Sequence, residues 1–179
     1  MNTTLELMIA GFGGQGVLFA GKILVYAGLL AGKEVSWLPS YGPEMRGGTA
    51  NINVIVSDTP IGSPIITYPG MLVAMNQPSL EKFESDVQQN GTIIIDSSLI
   101  PIQVQRPDVQ TFYIPATKLA EDAGLKGLAN MVMVGKIAKQ ADIFDLEMLN
   151  KAVSKSIPER KKDLLASNIK AIEIGYKFN

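Results

Sequence analysis

The chain opens with a compact apolar run, Leu5, Leu7, Met8, Ile9 and Ala10, that ends at glycines; from Val17 the apolar positions recur at Leu18, Ile23, Leu24, Ala27, Leu30 and Ala31. The change from a short continuous run to the three-to-four-residue spacing of one helical face predicts a strand, a tight turn and a helix. Gly32 stands where a helix C-cap belongs, and Glu34–Leu38 predicts a second strand terminated by Pro39. A βαβ opening is the simplest arrangement of these pieces. Residues 50–56 alternate polar and apolar and then become continuously apolar, the mark of a strand buried first on one face and then on both, ending at Ser57-Asp58-Thr59-Pro60.

Further on, Met71–Met75 predicts a buried strand, with Asn76 or Gln77 as helix cap and Pro78 in the first helical position. Leu80, Phe83 and Val87 then share one helical face. Asn90-Gly91 turns into a β-branched strand at Thr92–Asp96, and Val109–Ile114 supplies another. From Pro115 the pattern is helical, with stripes at Leu119, Ala120 and Ala123; at Met131, Val134, Ile137 and Ala138; at Leu146, Leu149 and Val153; and at Leu165, Ile169, Ile172 and Tyr176. Strands alternating with helices early and helices clustering late predict an α/β fold: residues 1–179 as a single three-layer domain, its sheet mostly parallel or mixed, its C-terminal third helix-rich.

Composition narrows the chemistry. The 179 residues include no histidine and no cysteine. That removes disulfides, thiolate nucleophiles, iron–sulfur ligation and the commonest general base and metal ligand. Sixteen basic against seventeen acidic residues leave a net charge of −1, so nucleic acid and membrane surfaces are not expected partners. A charged fraction of only 18% beside 46% hydrophobic residues leaves little charge to solvate a free surface and hints at an oligomeric interface. Without a basic region before the first apolar run, or an apolar stretch of membrane-spanning length, a cytoplasmic protein is expected.

Two glycine-rich segments carry the functional signal. Gly11, Gly13 and Gly16 fall at the dinucleotide-binding spacing, between a predicted strand and a predicted helix. Glycine there permits a tight turn and a close approach of backbone to phosphate, while the helix start offers N–H groups to an anion. The nicotinamide version also wants an acidic residue about 20 residues further on. This chain reads Leu38-Pro39-Ser40-Tyr41 there, and Gly14 and the amide of Gln15 depart further from the ordinary pattern. A glycine turn serving only close helix–sheet packing is the other reading.

The second segment, Tyr41-Gly42-Pro43-Glu44-Met45-Arg46-Gly47-Gly48, is too rich in glycine and proline for a strand or helix interior and reads as a shaped loop. Following the second strand, it should lie at the carboxyl edge of the sheet, near the first turn. Arg46 could hold a phosphate or carboxylate through a contact of about 1.5–3 kcal/mol, more than the roughly 0.3–1 kcal/mol of a helix dipole. Alternatively Glu44 and Arg46 pair with each other and stiffen the loop. Asn130 reads as a helix cap, or else as an amide turned toward the same edge, Arg160-Lys161-Lys162 as a solvated turn at the start of the last helix, and Met71, Met75, Met131 and Met133 as core or interface.

With these segments in view, the chain resembles the gamma subunit, or gamma domain, of the 2-oxoacid:ferredoxin oxidoreductases. The matching residues are Gly11-Phe12-Gly13-Gly14-Gln15-Gly16-Val17, Ser40-Tyr41-Gly42-Pro43-Glu44-Met45-Arg46-Gly47-Gly48, Ser57-Asp58, Ile61, Ser63-Pro64 and Met75-Asn76-Gln77-Pro78-Ser79, in order over roughly residues 5–175. The resemblance implies oxidative decarboxylation of a 2-oxo acid to acyl-CoA and CO2 with reduction of ferredoxin, by an assembly in which this chain is inactive alone. It implies alpha, beta and ferredoxin-like delta subunits as partners, which hold thiamine diphosphate and iron–sulfur clusters, with coenzyme A bound in the complex and none of these held by this chain alone. The form of the second loop is closer to members acting on 2-oxoglutarate or branched-chain 2-oxo acids. Gly11, Gly13, Gly14, Gln15, Gly16, Tyr41, Glu44, Arg46, Gly47 and Gly48 would line the intersubunit cofactor region, with no residue assigned a chemical step or a metal. A stand-alone Rossmann-like nucleotide-binding protein and a structural adaptor are the alternatives, and self-association of the isolated chain stays open.

Overall fold

The structure is a computed structural model that describes residues 3–40 and 49–179, the side chains of Arg160 and Lys161 excepted. Its centre is a six-stranded sheet in the order β2-β3-β1-β4-β5-β6. The strands are β1 (Thr4–Phe12), β2 (Glu34–Ser40), β3 (Thr49–Ser57), β4 (Met71–Ala74), β5 (Thr92–Asp96) and β6 (Gln110–Ile114). Helices α1 (Val17–Leu30), α2 (Gln77–Phe83), α3 (Ala116–Asp122), α4 (Ala129–Ala141), α5 (Leu146–Ser156) and α6 (Leu165–Lys177) complete the element set with two 3-10 turns, Glu84–Asp86 and Glu159–Leu164. β1, β4, β5 and β6 run parallel, whereas β3 is antiparallel to both β1 and β2. The sheet is therefore mixed.

Alternation along the strands sorts side chains onto two cores. Leu5, Leu7 and Ile9 of β1, Ile52, Val54 and Val56 of β3, and Met71 and Val73 of β4 pack against α1 and α3–α6. Met8, Ala10, Leu72, Ala74, Ile93 and Ile95 face the other way, onto Leu80 and Phe83 of α2 and onto Val87 and Ile100. Three layers result, with the heavier helical layer on the α1 side. Ile9, wholly buried on that side, sits where truncation to alanine costs about 2–5 kcal/mol.

The expected βαβ opening is present with one strand interposed. Since β3 runs against both β1 and β2, β2 is parallel to β1 and lies beyond β3. α1 crosses close to the sheet because Gly21 and Gly28, two turns apart, face it. A Cβ at Gly21 would stand 2.9 Å from Ile52 Cδ1, and one at Gly28 would stand 2.8 Å from Val35 Cγ1. Gly32, at a φ of 69°, ends the helix as expected, its N–H donating to the Leu29 carbonyl.

Three expectations are corrected. Pro39 does not end β2, which continues to Ser40; on an edge strand a residue without N–H removes no ladder bond from the open side. The basic triplet at 160–162 lies in the Glu159–Leu164 3-10 turn ahead of α6, not at its start. Ile172 of the expected α6 stripe is buried, with Leu165 and Tyr176 packed against the core, but the rest of the buried face is Asn168, Ala171 and Gly175, smaller residues than the periodicity implied. α4 and α6 meet backbone to backbone there: a Cβ on Gly135 would strike the Ile172 carbonyl, and one on Gly175 the Val132 carbonyl. Met71, Met75, Met131 and Met133 are buried as expected. No described helix is long and apolar enough to cross a membrane.

Candidate functional site at the carboxyl edge of the sheet

The carboxyl ends of β1, β4 and β5 meet at one edge, and the glycine turn after β1 lies there. Gln15 N–H donates to the Phe12 carbonyl at 3.2 Å, closing a four-residue turn whose third residue, Gly14, has a φ of 95°. Gly16 follows in the left-handed region at 74° and forms the N-cap of α1. An L-side chain in this conformation costs roughly 1–2 kcal/mol. Gly16 is held to glycine by contact as well, because a Cβ would run into the Asn130 amide.

The Gln15 side chain turns inward. Its Oε1 accepts from the Phe12 N–H at 2.6 Å and from Asn76 Nδ2 at 3.0 Å, and its Nε2 donates to the Met75 carbonyl at 2.7 Å. Gly11 leaves room for that amide, since a Cβ there would lie 2.7 Å from Gln15 Oε1. Asn76 also caps α2, as the sequence suggested, its Oδ1 accepting from the Ser79 N–H at 2.9 Å.

On the far side of the turn stands Asn130, corrected here from the cap expected of it. α4 begins at Ala129, with Leu128 as N-cap and no side-chain cap bond, so Asn130 lies inside the first turn. Its Nδ2 reaches the Gly16 carbonyl at 3.2 Å. This contact brings the amino ends of α1 and α4 together, neither carrying a side-chain cap. The first N–H groups of such helices have no partner within their own helix, and both dipoles present partial positive charge.

Clefts surround this junction. One of about 270 Å³ is lined by Phe12, Gly13, Gly14, Gly16, Phe19 and Ala50 among others. A second of about 260 Å³ lies between Gly14, Gln15, Thr117, Glu121, Lys126 and Gly127. A third of about 400 Å³ shares Phe19 with the first and Gly127 with the second, and adds Asn130 and Lys22. Phe12 is 41% exposed at the lip. Lys82 of α2 reaches Thr49 Oγ1 at 3.5 Å, near where the chain re-enters the sheet opposite Phe12.

The structure therefore groups Gly11, Gly13, Gly14, Gln15 and Gly16 at one edge. Tyr41, Glu44, Arg46, Gly47 and Gly48 lie outside the described residues; the strand ends that bracket them, Ser40 and Thr49, stand at this same edge. Lys126, Lys82 and Phe12 were not singled out as site residues, since a lone lysine in a loop or on a helix carries no sequence signal and Phe12 stood only as a member of the glycine motif. Asn76 was recognised as a cap, and nothing in the spacing revealed its second bond. Among the described residues no cluster of three or more acidic residues could hold a metal.

The pattern of the pyruvate ferredoxin/flavodoxin oxidoreductase family matches residues 6–178. The chain belongs to this family. It is 35% identical over 175 residues to the 2-oxoglutarate synthase subunit KorC of Methanocaldococcus jannaschii, covering 96% of this chain and 92% of the relative. To the ketoisovalerate oxidoreductase subunit VorA of Methanothermobacter thermautotrophicus it is 37% identical over 175 residues, covering 97% of this chain but only 36% of that longer relative. The crystal structure of a keto/oxoacid ferredoxin oxidoreductase gamma subunit from Geobacter sulfurreducens superimposes with a TM-score of 0.84 at 28% identity, over 97% of this chain and 96% of the other. A 2-oxoglutarate:ferredoxin oxidoreductase from Magnetococcus marinus, solved with 2-oxoglutarate, coenzyme A and succinyl-CoA bound, gives 0.85 at 22% identity over 96% of this chain and 30% of its own, a likeness of fold. In extent the chain is a family member of the gamma-subunit kind, a subunit of an oxidoreductase complex.

Proposed function

We propose that the chain is the gamma subunit of a complex that oxidatively decarboxylates 2-oxoglutarate or a branched-chain 2-oxo acid to its acyl-CoA and reduces ferredoxin. Alpha, beta and ferredoxin-like delta subunits complete the assembly. Thiamine diphosphate and the iron–sulfur clusters belong to those partners, in keeping with a chain that has no cysteine for a cluster.

This chain's contribution is a wall of the coenzyme A site. The observation that carries the reading is the paired amino ends of α1 and α4 at the glycine turn, free of side-chain caps and joined through Asn130 and Gly16. Such an end suits phosphate groups: glycine lets them approach, backbone N–H groups donate to them, and Lys126 and Lys82 add charge at the rim. Tyr41, Glu44, Arg46, Gly47 and Gly48 complete the wall in this proposal, with Arg46 as the strongest single contact. The chain orients the thioester-forming substrate and performs no bond-making step itself.

The test is reconstitution with the alpha, beta and delta subunits. Omitting this chain should abolish acyl-CoA formation. Gly14→Asp, at a position with open space around its Cβ but a φ of 95° that strains any L-residue, places a carboxylate beside the uncapped ends, with Gly14→Ala as the control for that strain. The KM for coenzyme A should then rise at least about tenfold, one charge-assisted contact's worth, while the KM for the 2-oxo acid stays put. An unchanged coenzyme A KM would remove the proposed wall.

A further inference from the structure

We infer that Gln15 is a positioning residue rather than a ligand contact, and that it works as one half of a clasp whose other half is Asn76. This deepens the coenzyme A reading and rests on it.

The geometry of the amide leaves little choice. Two backbone groups of opposite kind flank it: the Phe12 N–H needs an acceptor, at 2.6 Å from Oε1, and the Met75 carbonyl needs a donor, at 2.7 Å from Nε2. Rotating the amide by half a turn would set donor against donor and acceptor against acceptor, so the surroundings fix its orientation. Asn76 Nδ2 then supplies a second donor to Oε1 at 3.0 Å. Oε1 has thereby used both of its lone pairs, and one of the two Nε2 hydrogens is engaged.

The clasp spans 61 residues of sequence and joins two strand-to-helix junctions, β1 to α1 and β4 to α2. Asn76 is only 3% exposed and makes a bond from each end of its amide, Nδ2 to Gln15 and Oδ1 from the Ser79 N–H. The β4 end is itself tied to β1 by the Met75 N–H donating to the Ala10 carbonyl at 2.9 Å. Gly14 and Gly16, both at positive φ, flank Gln15 and have the wide backbone freedom of glycine. The clasp removes that freedom from between them: Gln15 cannot turn outward without breaking three bonds. The turn is thus set before an anion arrives, and binding need not order it.

Asn76→Ser separates this role from a direct one. Serine is a good N-cap, so α2 keeps its start, but its hydroxyl is too short to reach Gln15, whose side chain is left intact. In the assembled complex, hydrogen exchange of the amides at 11–19 should quicken. The KM for coenzyme A should rise roughly fivefold, with kcat and the KM for the 2-oxo acid unchanged. Gln15→Glu sets a second oxygen against the Met75 carbonyl and should produce the same pattern more strongly, at least about tenfold in coenzyme A KM.

Unchanged exchange in Asn76→Ser overturns the clasp. So does a normal coenzyme A KM in Asn76→Ser while Gln15→Glu and Gly14→Asp are impaired, because Gln15 would then touch the ligand itself. If Gly14→Asp is also without effect on coenzyme A, the wall reading fails, and the positioning role falls with it.

Discussion

Two helices begin at the same edge of the sheet and are finished in opposite ways. α3 follows β6, and Asp96, fully buried at the end of neighbouring β5, fills its amino end. The carboxylate accepts from Thr117 Oγ1 at 2.6 Å, from the Thr117 N–H at 3.2 Å and from the Ser98 N–H at 3.1 Å, while Ser98 Oγ accepts from the Lys118 N–H at 3.1 Å. α1 starts where β1 ends, on a glycine with no side chain to offer. A carboxylate at a helix start contributes about 0.3–1 kcal/mol from the dipole alone, with hydrogen bonds in addition. Stability alone would favour filling both ends. Among the described residues no side chain caps α1 or neighbouring α4, whereas α2 and α3 are closed by Asn76 and Asp96, which leaves the α1–α4 junction as the open part of this edge.

The sharpest way to break the comparison is Asp96→Ala. It strips the acceptor from the N–H groups of exposed Ser98 and half-buried Thr117 and from the Thr117 hydroxyl, and a hydrogen bond to a charged group contributes about 1.5–3 kcal/mol. Denaturant unfolding of the purified chain should show a loss of roughly 3 kcal/mol. The coenzyme A KM of reassembled complex should stay at its original value. A change in that KM at constant fold would mean that the α3 end also serves ligand, and the division between a closed and an open helix start would collapse.

Gly16→Ala should give the reverse signature. The left-handed φ of 74° costs an L-residue about 1–2 kcal/mol, and Asn130 must move aside. A smaller loss of stability than at Asp96 should therefore accompany a raised coenzyme A KM, since the displaced Asn130 no longer holds the α4 end against Gly16. A stability loss with unaltered kinetics would reduce the turn to helix–sheet packing.

The same contrast explains what was legible in the sequence. All six strands and the helix positions could be read because their signals are local: β1 and β5 are apolar runs bounded by turns, and α1 announces itself by spacing. The antiparallel insertion of β3 between β1 and β2 was not legible, because pairing is decided by contacts far apart in sequence, such as Gly11 with Ala50. The small-residue seam between α4 and α6 escaped for a related reason. Periodicity finds large apolar residues, whereas Gly135 and Gly175 matter through the backbone atoms they admit. At the site, glycines at fixed offsets from a strand end identified the turn. A turn of the Asn130 amide toward this edge was one reading of the sequence, but the specific partners, Met75 for Gln15 at 60 residues and Gly16 for Asn130 at 114, lie too far away in sequence to be read from it.

The smallest expected effect lies at the opposite edge of the sheet, where a carboxylate serves the fold alone. Asp58 receives Lys33 Nζ at 2.5 Å and the Thr3 N–H at 2.7 Å, tying the turn after α1 and the start of β1 to the end of β3. The Lys33 hydrogen bond first, and the Thr3 N–H second, hold its carboxyl below the ordinary value of 3.8. A carboxyl depressed on folding binds fewer protons in the native state than in the unfolded chain. Its stabilisation is therefore fully present above the ordinary value and is lost as pH falls through the native one. Thermal midpoints should stay level from neutrality down to the carboxylate range and then decline, and Asp58→Asn should blunt that decline with a slight loss at neutral pH. Exposed pairs contribute little, and salt should shrink the difference further. Coenzyme A kinetics of the complex should not register the change. If they did, the two edges would be coupled through β1 and β3, and the site could no longer be assigned to the α1–α4 junction alone.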